Sequence, residues 1–118
     1  MAVNEAALRE LAHADVLAFG PVGFVATVLP VTLAYRELSD AAEADDADVR
    51  PYLDRLLAEG SPAGRAYAAT LLARIEPDAG RSVWRSLAVD PAELTTFEGC
   101  VMRRTTLAEY AAGHLHPH

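Results

Sequence analysis

The sequence predicts an all-α fold, either a compact bundle or a short α-solenoid of about five to six helices. Leucine and alanine dominate the chain, and β-branched residues are dispersed except near residues 22–32. This composition favours helix over sheet. With 118 residues and 52% hydrophobic content, the chain can form one core but is too short for two ordinary domains. We therefore expect a single helical domain over residues 1–113 and a flexible, histidine-containing tail over residues 114–118.

The clearest elements are two antiparallel helices between residues 49 and 75. Apolar residues recur at the i, i+3, i+4, i+7 and i+8 positions from Val49, which places them on one helical stripe. Gly60 can adopt the left-handed conformation that ends a helix, Ser61 can cap the next helix, and Pro62 suits its first position. The second helix carries its own apolar face, formed by Ala68, Leu71, Leu72 and Ile75.

Shorter helices are predicted on both sides of this pair. Asn4 can cap a first helix that ends between residues 13 and 17, and Pro77 suits the first turn of a helix after the pair. Residues 94–102 show no helical stripe and are predicted to be extended. Thr106 and Glu109 form a capping box for a last short helix, which Gly113 ends.

Residues 16–35 contain no charged side chain. Twenty such positions reach the length of a membrane span, but glycines and prolines at positions 20, 21, 23 and 30 would break a membrane helix. We therefore prefer a buried, turn-rich crossover that leads into a helix over about residues 30–38, without association with a membrane. The sequence leaves open whether residues 20–29 are buried or form an interface.

Residues 39–48 are predicted to be an acidic linker. Its five acidic residues are Asp40, Glu43, Asp45, Asp46 and Asp48. They do not form a calcium-binding loop, because the glycine and the glutamate that such a loop needs are missing. Two interpretations stay open. The segment is a solvated link whose last aspartates cap the helix from Val49, or it is a docking surface for a basic partner.

The charge of the chain is uneven. Residues 1–59 carry eleven acids and four arginines, whereas residues 60–118 carry six of each. The net charge of −7 therefore lies in the first half. This charge argues against a general nucleic-acid binder, because phosphate contacts need clustered lysine or arginine. It would suit a basic protein partner, although an acidic surface also simply keeps a protein in solution.

Residues 98–100 are the candidate functional loop, made of Glu98, Gly99 and Cys100. Cys100 is the only cysteine and the candidate nucleophile, but nothing in the sequence places a histidine base beside it. We expect Cys100 to be a small buried hydrophobic residue that thiol reagents do not modify. No catalytic residue, metal ligand or cofactor is assigned.

Two further sets of side chains could bind ligands. Alternating histidines near the chain end suit zinc, copper or nickel, although a disordered tail is the preferred interpretation. Four arginines could form a small anion site, although ion pairs with nearby acids are preferred. The histidines are His114, His116 and His118, the arginines are Arg81, Arg85, Arg103 and Arg104, and the acids are Glu76, Asp78 and Glu98.

Two motifs carry a family resemblance. Residues 61–68 read Ser-Pro-Ala-Gly-Arg-Ala-Tyr-Ala, and residues 95–100 read Thr-Thr-Phe-Glu-Gly-Cys. The pair resembles a family of small, uncharacterised bacterial proteins in which a Ser/Thr-Pro-Ala-Gly helix start precedes a Thr-Thr-x-x-Gly-Cys segment. Residues 64–75 also resemble the second helix of a HEAT-type repeat. The resemblance implies a compact helical fold with HEAT-like features and no particular activity.

These observations predict a non-enzymatic protein–protein interaction module, of the immunity or adaptor type, that binds a basic protein and no nucleic acid. The alternative is a small enzyme or regulator that depends on a metal or on Cys100. A third reading is a structural homodimer anchored by an exposed aromatic residue. The single cysteine, and a start that lacks the basic region of a signal peptide, favour the cytoplasm. We expect a monomer or a homodimer.

Overall fold

Helices account for most of the fold, and a polar cap or a proline begins each of them. The computed structural model describes residues 4–116, in which six helices and three strands occur. In chain order the elements are α1 (Glu5–Ala12), β1 (Val16–Leu17), α2 (Pro30–Ala44), α3 (Asp46–Glu59), α4 (Pro62–Ile75), α5 (Pro77–Leu87), β2 (Glu93–Glu98), β3 (Val101–Thr106) and α6 (Leu107–Leu115). The fold is therefore mostly helical, which is the coarser part of the predicted all-α class.

Side-chain caps start four of the described helices. In each case a side-chain oxygen accepts a backbone N–H of the first turn at 2.8–3.1 Å, which satisfies a donor that has no partner within the helix. The caps predicted at Asn4, Ser61 and Thr106 are confirmed. Gly60 is different, because its φ of −75° is not left-handed. A glycine is needed there since a Cβ would lie 2.5 Å from the Leu56 carbonyl oxygen.

Helix α4 forms the centre of the core. It packs against α1, α3, α5 and the first two strands, and its buried face is largely alanine, so its neighbours can approach closely. A Cβ on Gly64 would lie 2.3 Å from the Leu11 carbonyl oxygen, and a Cβ on Gly80 would lie 2.3 Å from the Ala73 Cα. These two glycines therefore fix how closely α1 and α5 approach α4.

The acidic segment is helical, so the prediction of a linker over residues 39–48 is wrong. Helix α2 continues through it to Ala44, and α3 begins at Asp46. The alanines between the acids are strong helix formers, and Ala42 is buried against the core. Only Asp45 separates the two helices, and it caps α3 by accepting the Ala47 N–H at 3.1 Å.

The extended segment near residues 94–102 is a β-hairpin, so the fold is not all-α. Strands β2 and β3 pair antiparallel from Glu93 with Thr106 to Glu98 with Val101. The short strand β1 pairs with β2 in parallel and completes a three-stranded sheet of order β1-β2-β3. The threonines and phenylalanine of β2 favour a strand, but its partner β1 lies far away in the sequence, so the sheet could not be read from local pattern.

The uncharged stretch over residues 16–35 holds β1, an irregular loop and the start of α2. Helix α2 begins at Pro30, as predicted. Within residues 4–116, no helix is both long enough and apolar enough to cross a bilayer.

The last helix is longer than predicted. It continues past Gly113 to Leu115, because the ring of His114 stacks on the indole of Trp84 at a centroid distance of 4.1 Å and an interplanar angle of 6°. The predicted tail therefore begins too early. Its last residues, Pro117 and His118, lie outside the described residues.

Candidate functional site: two turns with exposed apolar residues

Two tight turns lie side by side at one end of the sheet. The first spans residues 22–27, where Val22 and Thr27 exchange two backbone hydrogen bonds of 2.8 Å. The second is the β2–β3 turn, where Gly99 has a φ of 56°, the conformation that the first central residue of a type II′ turn needs. The Gly23 N–H donates to the Gly99 carbonyl oxygen at 2.7 Å, which joins the turns.

Large apolar side chains on and next to these turns face solvent. The exposed fractions are 100% for Phe24, 85% for Val25, 57% for Val101 and 62% for Met102. We call these four residues and the turns that carry them the two-turn tip. The expectation of a buried crossover is therefore wrong for Phe24 and Val25. These residues do not lie on a free end of the chain, since backbone hydrogen bonds close both turns.

The loop that leads to the tip is anchored in the core by Tyr67. Its hydroxyl donates to the Ala18 carbonyl oxygen and accepts from the Ala18 N–H, each at 2.7 Å. Thr32 donates a further 2.7 Å hydrogen bond to the same carbonyl. Phe19 packs edge-on against the rings of Tyr35 and Tyr67 at 5.1 Å. Burial raises the pKa of Tyr67 to about 12, so the hydroxyl stays protonated over the ordinary pH range.

A groove runs along the sheet beside the tip, between the hairpin and α6. It consists of two adjoining cavities of about 260 and 470 Å³, which share Thr96, Glu98 and Tyr110 as lining residues. Burial, with a smaller contribution from the Glu98 carboxylate, raises the pKa of Tyr110 to about 12. The groove is lined by two carboxylates, from Glu98 and Glu109, and by three hydroxyl groups, but among residues 4–116 it holds no nucleophile paired with a base.

The candidate functional loop of Glu98, Gly99 and Cys100 therefore forms one turn of the tip and one wall of the groove. Cys100 is exposed, so the prediction that it is buried is wrong. The reason is that the residue occupies the turn between two strands and has no layer of the core above it. Among residues 4–116, no histidine lines the cavity that contains Gly99, and His114 lines the adjoining cavity.

The five acidic residues assigned to partner binding lie where α2 meets α3. The side chains of Asp40, Glu43, Asp45, Asp46 and Asp48 are all exposed. Asp45 caps α3, while Asp46 and Asp48 lie in its first turn, where a negative charge complements the helix dipole. Glu43 approaches Arg74 at 3.9 Å. Asp45, Asp46 and Asp48 thus have a structural role in α3, and the role of all five residues in binding stays a prediction.

The structure brings the predicted ligand-binding sets together only in part. Among residues 4–116, no three histidine, cysteine, aspartate or glutamate side chains converge as metal ligands would. His114 lies on Trp84, and burial lowers the pKa of its imidazole. The four arginines do not form one anion site, since Arg81 lines a cavity beside α5 whereas Arg103 and Arg104 lie on β3.

The predicted ion pairs are also replaced by others. Glu76 pairs with Arg50, and Arg104 pairs with Glu93 at 3.2 Å. A half-buried pair joins Arg65 to Asp90 at 2.7 Å, and the Asp90 pKa is held below its usual value, mainly by the Ala92 N–H. Sequence spacing along one helix could not reveal these pairs, because each joins two different elements.

The sequence singled out the turn at Gly99 and Cys100, but it did not identify the four exposed apolar residues of the two-turn tip as a site. The available signal was the cluster of turn-forming residues from Gly20 to Gly23, since turns of this kind lie at protein surfaces. The chain matches no family model, no curated protein and no solved structure. The predicted family resemblance stays a prediction, and the function is argued from the geometry.

Proposed function

We propose that this chain is a non-enzymatic protein-binding module of the adaptor or immunity type, which docks through the two-turn tip and acts in the cytoplasm. The observation that carries the proposal is the complete exposure of Phe24 on a turn closed by hydrogen bonds. Aromatic residues are enriched among the anchors of protein interfaces. Backbone hydrogen bonds already close the turn that carries Phe24, so the backbone loses little conformational freedom on binding.

The expected gain from docking the tip comes from the burial of apolar side chains. Burying a phenylalanine side chain fully contributes about 1.5–3 kcal/mol before the costs of association. The neighbouring Val25 would add to this gain. An isolated exposed apolar residue needs no explanation, but here four lie on two joined turns.

Electrostatics favours a protein over a lipid surface as the partner. An apolar tip could also enter a bilayer interface, but cellular membranes are generally anionic and attract basic proteins. The net charge of this chain is −7. The exposed acids at the α2–α3 junction would instead accelerate association with a partner that presents a basic surface.

We further propose that the antiparallel pair α3–α4 is a HEAT-like unit. Its second helix carries the buried alanine-rich face that close helix stacking uses. In this arrangement the helical layers form the scaffold, and the hairpin with its neighbouring turn presents the docking surface.

The test is a native pull-down from the source organism with matched baits. The first bait is the unaltered chain, the second carries Phe24→Ser and Val25→Ser, and the third carries Val89→Ser. Val89 is 83% exposed but lies outside the two turns, so it controls for loss of surface hydrophobicity. We expect a protein that co-purifies with the unaltered chain in a stoichiometric amount. The second bait should lose this protein, and the third bait should retain it. Equal retention by all three baits would contradict the proposal, as would the absence of any retained protein.

A fourth bait tests whether the partner is basic. Asp46→Asn and Asp48→Asn remove two exposed charges but leave the Asp45 cap of α3 intact. If the acidic surface steers a basic partner, this bait should retain the partner more weakly at low salt and equally at high salt, because salt screens exposed charges. Identical retention at every salt concentration would remove the basic-partner part of the proposal and leave docking at the tip unaffected.

A further inference from the structure

We infer that the outer edge of β3 takes up, as a fourth strand, an extended acidic segment of the partner that is separate from the basic surface facing the α2–α3 junction. The segment would carry two consecutive acidic residues opposite Arg103 and Arg104, followed by two apolar residues. This inference rests on the proposed function, because it specifies the chemistry of the segment that docks beside the two-turn tip.

The edge of β3 is free to accept a strand. Among residues 4–116, the sheet order β1-β2-β3 gives β3 a neighbouring strand on one side only, and none of the β3 side chains is buried. The two-residue turn makes Glu98 and Val101 the hydrogen-bonded pair that closes the hairpin. Alternate residues of an antiparallel strand bond to the same neighbour, so the backbone groups of Met102 and Arg104 point outward. Such an edge is a template for another strand.

The two arginines give this edge its charge preference. Side chains of consecutive strand residues point to opposite faces, and Arg104 shares its face with Glu93 and Thr95, which it contacts at 3.2 and 3.3 Å. Arg103 is paired with Thr96 and therefore points to the opposite face, although both arginines line the cavity beside the hairpin. Arg103 is in none of the ion pairs among residues 4–116. An incoming strand with two consecutive acids would place one carboxylate beside each guanidinium group.

The apolar positions set the direction and order of the segment. Val101 and Met102 precede the arginines and remain more than half exposed. An antiparallel strand that puts acids opposite Arg104 and Arg103 then continues opposite Met102 and Val101, where apolar side chains would cover them. The expected order, from the amino end, is acid, acid, apolar, apolar.

A second copy of the chain is a poor occupant of the same edge. Only the backbone groups of Met102 and Arg104 point outward, so two antiparallel β3 strands can pair only where these residues face each other. The two central registers of this kind put Arg103 or Arg104 of one copy directly opposite the same residue of the other. Like charges directly opposite each other destabilise a strand pair, so the edge disfavours its own sequence and favours an acidic one.

The test uses a defined peptide and the full chain. The probe is the capped hexapeptide Thr-Glu-Glu-Val-Ile-Thr, and the matched control is Thr-Lys-Lys-Val-Ile-Thr. We expect the acidic probe to bind at least about tenfold more tightly than the control, since two exposed charge pairs change sign between them. In NMR spectra the acidic probe should shift the Met102 and Arg104 amide signals and slow the hydrogen exchange of both amides.

A charge-reversed variant completes the test. Arg103→Glu together with Arg104→Glu should invert the preference, so that the lysine peptide binds more tightly than the acidic one. Equal binding of both peptides to the unaltered chain, or binding without slowed exchange at Met102 and Arg104, would overturn the inference.

The two proposals can fail separately. If the natural partner needs Phe24 but binds the arginine-reversed variant as well as it binds the unaltered chain, the β3 inference is wrong and protein binding at the tip stands. If no partner requires the tip, the proposed function itself is wrong.

Discussion

Replacing Tyr67 by phenylalanine should destabilise the fold, because it removes the hydroxyl that anchors the loop before the tip. That hydroxyl lies 2.7 Å from both the nitrogen and the oxygen of Ala18, a residue that is 1% exposed. After the change, the Ala18 carbonyl keeps its hydrogen bond from Thr32. The Ala18 N–H has no other partner in the part of the chain that the structure describes.

The magnitude follows from these two different losses. An unpaired buried N–H costs about 1–3 kcal/mol, and a lost hydrogen bond to a carbonyl that keeps another donor costs about 0.5 kcal/mol. We expect Tyr67→Phe to lower the free energy of unfolding by about 2–3 kcal/mol. Thr32→Val alone should lower the free energy of unfolding by less than Tyr67→Phe does. The double variant should lose more than the sum of the two, because only then does the carbonyl lose both donors.

Urea unfolding at pH 7, followed by the fluorescence of the single tryptophan, Trp84, measures this loss. Tyr52→Phe is the control, because Tyr52 is half-buried and its hydroxyl makes no hydrogen bond with residues 4–116. It should change the free energy by less than about 0.5 kcal/mol. A loss of the same small size for Tyr67→Phe would refute the anchoring role of the hydroxyl.

The same anchor makes stability depend on alkaline pH. The pKa of Tyr67 is about 12 in the fold and 10.0 in the reference state, so its contribution is complete below pH 10 and is lost as the pH rises towards 12. At about 1.4 kcal/mol for each pKa unit, the loss is roughly 2–3 kcal/mol. Tyr67→Phe should remove this part of the alkaline decline, while the corresponding contribution of Tyr110 remains.

Three further variants test the packing and the end of the chain. Gly80→Ala should lower the free energy of unfolding by at least about 2 kcal/mol, because the new Cβ would lie 2.3 Å from the Ala73 Cα; a neutral result would contradict the close approach of α4 and α5. Gly113→Ala is the matched control, because a Cβ at this position would meet no atom within 4 Å. It should stabilise α6 by about 0.5–1 kcal/mol. The pKa of His114 is lowered by burial, so its contribution to stability is present above pH 6.5 and is lost as the pH falls through the lowered value. His114→Gln should abolish the acid-induced change in the fluorescence of Trp84, on which the imidazole stacks; an unchanged titration would disprove the stacking.

The local parts of the fold could be predicted because each depends on neighbouring residues. The structure contains three local features where the sequence indicates them. They are the cap at Ser61, the prolines at positions 62 and 77, and the helix pair that these residues define. The predicted helix end at residue 38 is wrong, because the acidic residues that follow do not stop the helix. Alanines lie between these acids and Ala42 is buried, so α2 continues through the acidic segment.

The site was harder to predict because it depends on contacts between distant segments. Apolar character normally indicates burial, so nothing about Phe24 alone shows that it faces solvent. Its exposure follows from the hydrogen bond between Gly23 and Gly99, two residues far apart in the chain. The exposure of Cys100 has the same origin, since the hairpin turn was predicted only as an extended segment.

Docking of the two-turn tip on a protein is best tested by comparing affinities for the captured partner. The dissociation constant is measured by calorimetry for the unaltered chain, for Phe24→Ser with Val25→Ser, and for Val89→Ser. We expect at least tenfold weaker binding for the tip variant, equivalent to about 1.4 kcal/mol or more, and unchanged binding for Val89→Ser, with all three chains equally stable in urea. Equal dissociation constants for three equally stable chains would contradict docking through the tip.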